Sequence, residues 1–386
     1  MRILHTADWH IGRTFHGHST LAPLSEVLAA IPVIVRENKV DVVIAAGDMF
    51  DSAAPSADAF TLLQDSLVAI RRAGAEVVVI SGNHDSAARL GFNSSFAGLG
   101  GVHIVTDPSA IGTPITLTDA HGDIDFYCVP FLEPALIRHR WPDEQLRNQA
   151  DALRFAMRRI REARAARPDS RAVVVAHTFV AGGEFESADS ERPITVGTVD
   201  VVPVSTFDGA DYVALGHVHG RATLADHVRY SGALLHYSFS EANKPRGGWL
   251  VEFDAAGMAN AQWAALPVPR PLVQLKDQLE NLLASAEYEQ YREHWVSAVL
   301  TDGPRPLDAM RRLQTRFPWC AHVEHRPAVV FQDGVGSYTE RVQGKSDEEV
   351  LDAFLQHVRG GEGTTEPESG VFEDVVAQHR ADAAVR

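Results

Sequence analysis

Apolar and polar positions along this chain come in blocks. Short apolar runs rich in Val and Ile each end in a polar cluster, at residues 2–8, 42–48, 76–83, 126–131, 172–177, 212–217, 228–231 and 249–253. Runs of this length and composition predict buried strands. Between them, apolar residues recur at helical spacing over 24–38, 57–73 and 144–166, which predicts helices. Strand–helix alternation predicts an α/β domain. Polar residues at the ends of several strands stand where open α/β sheets place ligand sites.

The series closes at a proline-rich break, LPVPRPL, over residues 266–272. A smaller pattern follows: strand 272–275, helix 276–284, strand 296–300, helix 306–316, strand 322–324. We read it as a second, compact α/β module. The tail opens on Ser346-Asp-Glu-Glu349, a capping-box signature. It precedes an amphipathic helix with Val350, Leu351, Phe354, Leu355 and Val358 on one face. After a Gly/Glu/Thr linker, Val371, Phe372, Val375 and Val376 predict a second short helix. The expected organisation is a first domain over 1–267, a smaller α/β domain over 268–344 and a helical segment over 345–386.

Composition changes this picture in two places. Only two cysteines occur, Cys128 and Cys320, without metal-ligand spacing, so a reduced cytoplasmic setting is expected. No apolar run reaches the roughly 20 residues a membrane span needs, and the first residues lack the pattern of a signal peptide. The net charge of −16 argues against a general nucleic-acid binder, because phosphate contacts need cations. The charge is uneven, however. Residues 345–386 hold four basic and ten acidic side chains, a contribution of −6.

Five signatures occur in order: Asp8-x-His10, Gly47-Asp48-x-x-Asp51, Gly82-Asn83-His84-Asp85, His177 after AVVVA, and Gly216-His217-x-His219. Taken singly, each has an ordinary reading. The first arises by chance, the second and third are good solvated turns, a lone histidine after a strand is more often a satisfied near-core side chain, and the last reads as a surface pair. All five together, each at a strand end, are not explained that way. They offer carboxylate, amide and imidazole donors, a mixture that suits Mn²⁺, Fe²⁺ or Zn²⁺ better than Mg²⁺ alone. Two such cations about 3.5–4 Å apart can clamp both sides of an in-line phosphoryl displacement.

In this order the motifs resemble the calcineurin-like metallophosphoesterase superfamily. More narrowly, HTADWHIGR, AGDMFDSAAPS, SGNHDSAARL, AHTFVAGGEFESADSERPITVG and LGHVHG resemble the SbcD-type nuclease subunits of bacterial SbcCD complexes. The resemblance spans about residues 1–340. It implies a β-sandwich flanked by helices, with the smaller α/β module as a capping domain. It implies that Asp8, His10 and His219 hold one divalent ion, that Asn83, His177 and His217 hold the other, and that Asp48 bridges them. Manganese is the expected metal. His84 is then a catalytic residue rather than a ligand, oriented by the Asp51 carboxylate. A second catalytic histidine found in archaeal relatives is not matched, since Ser52 stands there.

A nuclease must also hold a polyanion, and Arg13, His16, Arg89, Arg192, Lys244 and Arg246 are the candidate DNA contacts, each otherwise an ordinary solvated cation. The acidic tail is read as docking another chain through Leu351, Phe354, Leu355, Phe372 and Val375, because two short apolar helices are poor structures alone. The resemblance implies the SbcC ATPase as that partner, DNA ends and hairpins as substrates, and a homodimer within a heterotetramer. The dimer contact is expected at 24–38 or 57–73. No Walker A signature occurs in the chain. Two rival readings remain open: a phosphodiesterase or phosphatase of the same fold acting on a small or protein substrate, and a non-catalytic DNA-bridging scaffold.

Overall fold

The apolar runs do form strands, and a computed structural model describes residues 1–181, 202–327, 344–359 and 363–384. The chain divides into two units, Met1–Pro271 and Leu272–Arg386. In the first unit the principal strands are, in chain order, β1 (Arg2–Thr6), β2 (Val42–Ala46), β3 (Glu76–Ile80), β4 (Val102–Val105), β5 (Ile115–Asp119) and β6 (Gly122–Val129). There follow β7 (Arg171–His177), β8 (Tyr212–Gly216), β9 (Ala222–Ala225), β10 (Val228–Tyr230), β11 (Gly247–Asp254) and β12 (Gly257–Ala265). They build two six-stranded sheets, ordered β12-β11-β1-β2-β3-β4 and β9-β10-β8-β7-β6-β5. The central strands pair in parallel; antiparallel pairs close three edges, and β4 closes the fourth in parallel with β3.

Strands such as VVIAA and AVVVAH lack polar alternation because both their faces are covered. Alternate residues go to opposite sides. Ile3, Val42, Ile44 and Val78 meet Phe126, Val173, Val175 and Tyr212 between the two sheets. Leu4, Val43, Ala45 and Val77 face outwards onto α1 (Leu21–Asn38) and α2 (Ala57–Ala73). On the second sheet Tyr127, Val174, Ala176 and Val213 pack on α3 (Gln149–Ala165). The result is the expected helix-flanked β-sandwich.

Several elements depart from the sequence reading, which has no strand at β4, β5, β9 or β12. The third helix starts at Gln149, not at 144, because the Asn148 side chain accepts the backbone N–H of Asp151 at 2.8 Å and caps it there. The edge strand β12 was not expected from GMANAQWAA, which is short of β-branched residues. It forms because a tight turn ending at Gly257, with φ of 122°, lays it antiparallel against β11.

The second unit carries a parallel three-stranded sheet, β13 (Leu272–Asp277), β14 (Trp295–Leu300) and β15 (Cys320–His325), with α4 (Leu279–Ala284) and α5 (Ala309–Arg316). Leu275, Leu282, Val296, Ala298, Leu313 and Phe317 form its core. The first strand is longer than the sequence suggested. Asp277 ends it, and its carboxylate accepts from Gln278 N and Asn281 Nδ2, so the helix begins at Leu279 rather than 276. The tail contributes α6 (Asp347–Val358), opened by the expected capping box of Ser346 and Glu349, and α7 (Glu366–Ala384), longer than the short helix foreseen. Among the described residues no helix is long and apolar enough to cross a membrane.

Candidate metal centre

The carboxyl ends of the central strands of both sheets supply one cluster of side chains. Asp8 and His10 follow β1, Asp48 follows β2, Asn83 and His84 follow β3, His177 ends β7, and His217 and His219 follow β8. The chain must turn sharply there. Asp8, His10, Asp48 and His217 adopt φ of 52°, 45°, 49° and 110°, a region that costs a non-glycine residue on the order of 1–3 kcal/mol. Hydrogen bonds between the loops hold it: Asp8 N to Gly47 O, His10 N to Asp48 O, and His217 N to the Asp8 carboxylate, all at 2.9–3.1 Å. Two glycines make room. A Cβ on Gly82 would lie 2.1 Å from Asp48 Oδ1, and one on Gly47 would lie 2.3 Å from His177 Nδ1.

The cluster is buried and its donor atoms converge. His10 Nε2 lies 3.0 Å from His219 Nε2. Asp48 Oδ2 stands between the two sides, 3.7 Å from His10 Nε2 and 3.4 Å from His177 Nε2. Asn83 Oδ1 is faced by His177 Nε2 at 2.9 Å and His217 Nδ1 at 3.3 Å. His177 Nδ1 donates to Ala46 O at 2.9 Å, which turns its Nε2 into the cluster. Three groupings have the compactness of an ion site: Asp8–His10–His219, Asp8–Asp48–His177 and His10–Asp48–His84. Acceptor oxygens and imidazole lone pairs directed at common points are what a cation reconciles, so the residues fit a dimetal site.

Electrostatics point the same way. Burial pushes the Asp8 carboxyl up to about 7, against the pull of His177 and His219. Burial would also raise Asp48, but His177, His10 and His84 around it hold it below the usual carboxylate range. Burial lowers His10 to about 3 and drives His217 well below its ordinary value. His177 is raised to about 9, because Asp48 and Asp8 outweigh the effect of its burial. Carboxylates and imidazoles at such close quarters shift one another strongly, which marks a functional site.

His84 lies beside this cluster, its Nε2 4.0 Å from Asp48 Oδ2. Its Nδ1 donates to the backbone carbonyl of Asp51 at 2.7 Å. The expected carboxylate contact is present but longer: Asp51 Oδ1 is 3.7 Å from His84 Nδ1, and 3.4 Å from both His10 Nδ1 and Arg13 Nη1. The main chain of Asp51 orients His84. Sequence reading gave no role to Asp85, whose half-buried carboxylate accepts the N–H groups of Gly82, Met49 and Phe50 at 2.9–3.1 Å. It ties the third motif to the second. Glu241 was also missed; it is fully buried, 3.5 Å from His219 Nδ1, and only its place in space reveals it.

Among the candidate DNA contacts, Arg13 stands at the rim, 4.7 Å over the Tyr237 ring. His16 is exposed, against Phe15 and Phe239. Arg89 is exposed and donates to Ala53 O, and Lys244 is half-buried. Arg192 lies outside the described residues. Arg246 is corrected: it is 2% exposed and paired with Glu241, so it is an internal cation with no surface to offer a phosphate. In the tail, Leu351, Phe354, Phe372 and Val375 line a groove of about 460 Å³ between α6 and α7. Leu355 is half-buried.

Comparison with known proteins agrees with this geometry. The profile of the calcineurin-like phosphoesterases matches residues 1–221. A second, described as the type 5 capsule protein repressor C-terminal domain (SbcD_C), matches residues 268–359. Among solved structures, the chain is similar to a protein of Thermus thermophilus at 13% identity, over 68% of this chain and 98% of that one, with a TM-score of 0.40. It is also similar to a dimetal phosphatase from Danio rerio at 13% identity, over 69% and 99%, again with a TM-score of 0.40.

Proposed function

The chain belongs to the calcineurin-like phosphoesterase family, and from that premise we propose that it is a metal-dependent DNA nuclease of the SbcD type. One observation carries the reading: a buried dimetal-type donor cluster in the larger unit is joined, in the same chain, to the SbcD_C match at 268–359. A phosphatase for small substrates has no need of that second module.

In this reading Asp8, His10 and His219 would hold one ion and Asn83, His177 and His217 the other, with Asp48 available to both. Bound divalent ions, with manganese suited to this donor set, would acidify the attacking water and neutralise charge on the phosphate. The protein supplies the rest. Ala46 O, by accepting from Nδ1, fixes the tautomer of His177. The Asp51 carbonyl holds the Nδ1 proton of His84, so Nε2 delivers the second proton of the imidazolium to the departing sugar oxygen. Arg13, His16, Arg89 and Lys244 are the proposed phosphate contacts.

The assembly follows the same reading. The groove between α6 and α7 would take the SbcC ATPase. A second copy of this chain would cover an apolar face on which Phe60, Phe92 and Phe96 are 39–76% exposed, more than an isolated surface readily tolerates. Light scattering is expected to give twice the 42.1 kDa chain mass for the protein alone, and a further rise when SbcC is added. A monomer that ignores SbcC would refute both contacts.

The activity is tested with end-labelled duplex DNA and Mn²⁺, beside a chromogenic small phosphodiester. Cleavage of the duplex that stops on chelation is expected. Hydrolysis of the diester alone, with DNA untouched even in the presence of SbcC and ATP, would favour a small-substrate phosphodiesterase.

A further inference from the structure

The two sides of the metal centre are supported by different chemistry. Behind His177 stands a neutral group, the Ala46 carbonyl. Behind His219 stands a carboxylate, with Glu241 Oε1 3.5 Å from Nδ1. Glu241 has no exposed surface. Its Oε2 accepts from Tyr237 N at 3.0 Å and from Arg246 Nη2 at 2.5 Å. Arg246 also donates through Nη1 to the carbonyl oxygens of His219 and Ala233. Both the side chain and the main chain of His219 therefore rest on one buried ion pair. The ring of Tyr237 stands edge-on to His10 and His219, with centroids 5.6 and 6.0 Å away.

A buried ion pair brings little net stability, and removing one partner strands the other. Its value here lies in what it does to the imidazole. A carboxylate behind a ligating histidine keeps the proton on the far nitrogen, turns the near lone pair to the ion and makes that nitrogen more basic. A carbonyl fixes the proton too, but adds no negative charge. The supporting residues 237–246 fall outside the segment 1–221 that the family profile matches.

We infer that Glu241 is a positioning residue that makes the Asp8–His10–His219 position the tighter of the two ion sites. The inference rests on the two-ion reading above. It is tested by stripping the full chain of metal and titrating it with Mn²⁺, counting free ion by electron paramagnetic resonance. Wild type is expected to bind in two classes. Glu241→Gln keeps the size of the side chain and an oxygen for Arg246 and Tyr237. It is expected to weaken the tighter class about 10–100-fold, the range for an outer-shell partner, and to leave the other near its wild-type value, whereas loss from the weaker class alone would overturn the inference. Glu241→Asp keeps the charge opposite Arg246 but withdraws the carboxylate from His219 by one methylene. It should weaken the same class, and it serves if the Gln variant does not fold. Two unchanged classes, or two weakened equally, would overturn the inference and leave Glu241 as no more than the counterion of Arg246. A wild type that takes up no Mn²⁺ overturns the two-ion reading itself, and this inference with it.

Discussion

Asp48→Ala is expected to remove phosphodiester hydrolysis and to lower metal content together. Asp48 Oδ2 is the atom placed between the two sides of the centre, within 3.7 Å of His10 Nε2 and 3.4 Å of His177 Nε2. Its Oδ1 accepts the backbone N–H of His84 at 2.8 Å. The substitution thus withdraws a shared ligand and releases the loop that carries His84. Loss of an outer-shell partner costs 10–100-fold in metal affinity or activity, so loss of a shared ligand should cost at least about 100-fold. Metal analysis by mass spectrometry and the duplex assay read the two effects. Asp48→Asn separates them, since its amide oxygen can still accept from His84 N while the charge is gone. An Asp48→Ala protein that keeps two ions and cleaves normally would sink the proposed centre.

His84→Gln is expected to do the opposite with respect to metal. Both ions should remain, while the rate on duplex DNA falls about 10²–10⁴-fold, the range for loss of a general acid. Geometry alone also groups His84 with His10 and Asp48 as a possible ligand set, so the experiment has a real alternative. The distinguishing feature is Nδ1, committed to the Asp51 carbonyl, with Nε2 4.0 Å from the nearer Asp48 oxygen. Gln in place of His keeps a polar side chain but has no titratable proton to give. Loss of an ion in this variant would make His84 a ligand and assign the acid elsewhere.

The parts of the molecule legible in the sequence are those where one physical demand dominates. VVIAA, EVVVI and AVVVAH carry apolar residues on both faces, so their burial between layers is written locally. The motif residues follow these strands directly, so their convergence follows once the strands are parallel neighbours. What was not legible depends on partners far along the chain. The nine residues of β12 are a strand because β11 lies beside them, not because of their own propensity. Arg246 sits in a Gly- and Pro-bearing stretch, NKPRGG, that reads as a surface loop. Its burial depends on Glu241, and the pair makes sense only beneath His219. The carboxylate of Asp51 does stand near His84, but the shorter contact is to its backbone carbonyl, and a carbonyl leaves no mark on residue type.

Asp8, His10 and Asp48 hold left-handed backbone positions that glycine would occupy at lower cost. The Asp8 and Asp48 carboxylates return part of that cost by accepting the backbone N–H groups of His217 and His84, but gathering these side chains in one buried cluster is still a burden set against turnover. Drift that replaced them with glycine would relieve the backbone and free the loops at the strand ends, while the strands themselves keep their own pairing. A lineage released from selection for hydrolysis should therefore shed these residues early and keep its architecture. Their joint presence here is the mark of a protein still held to its chemistry, and it weighs against the scaffold reading independently of any assay.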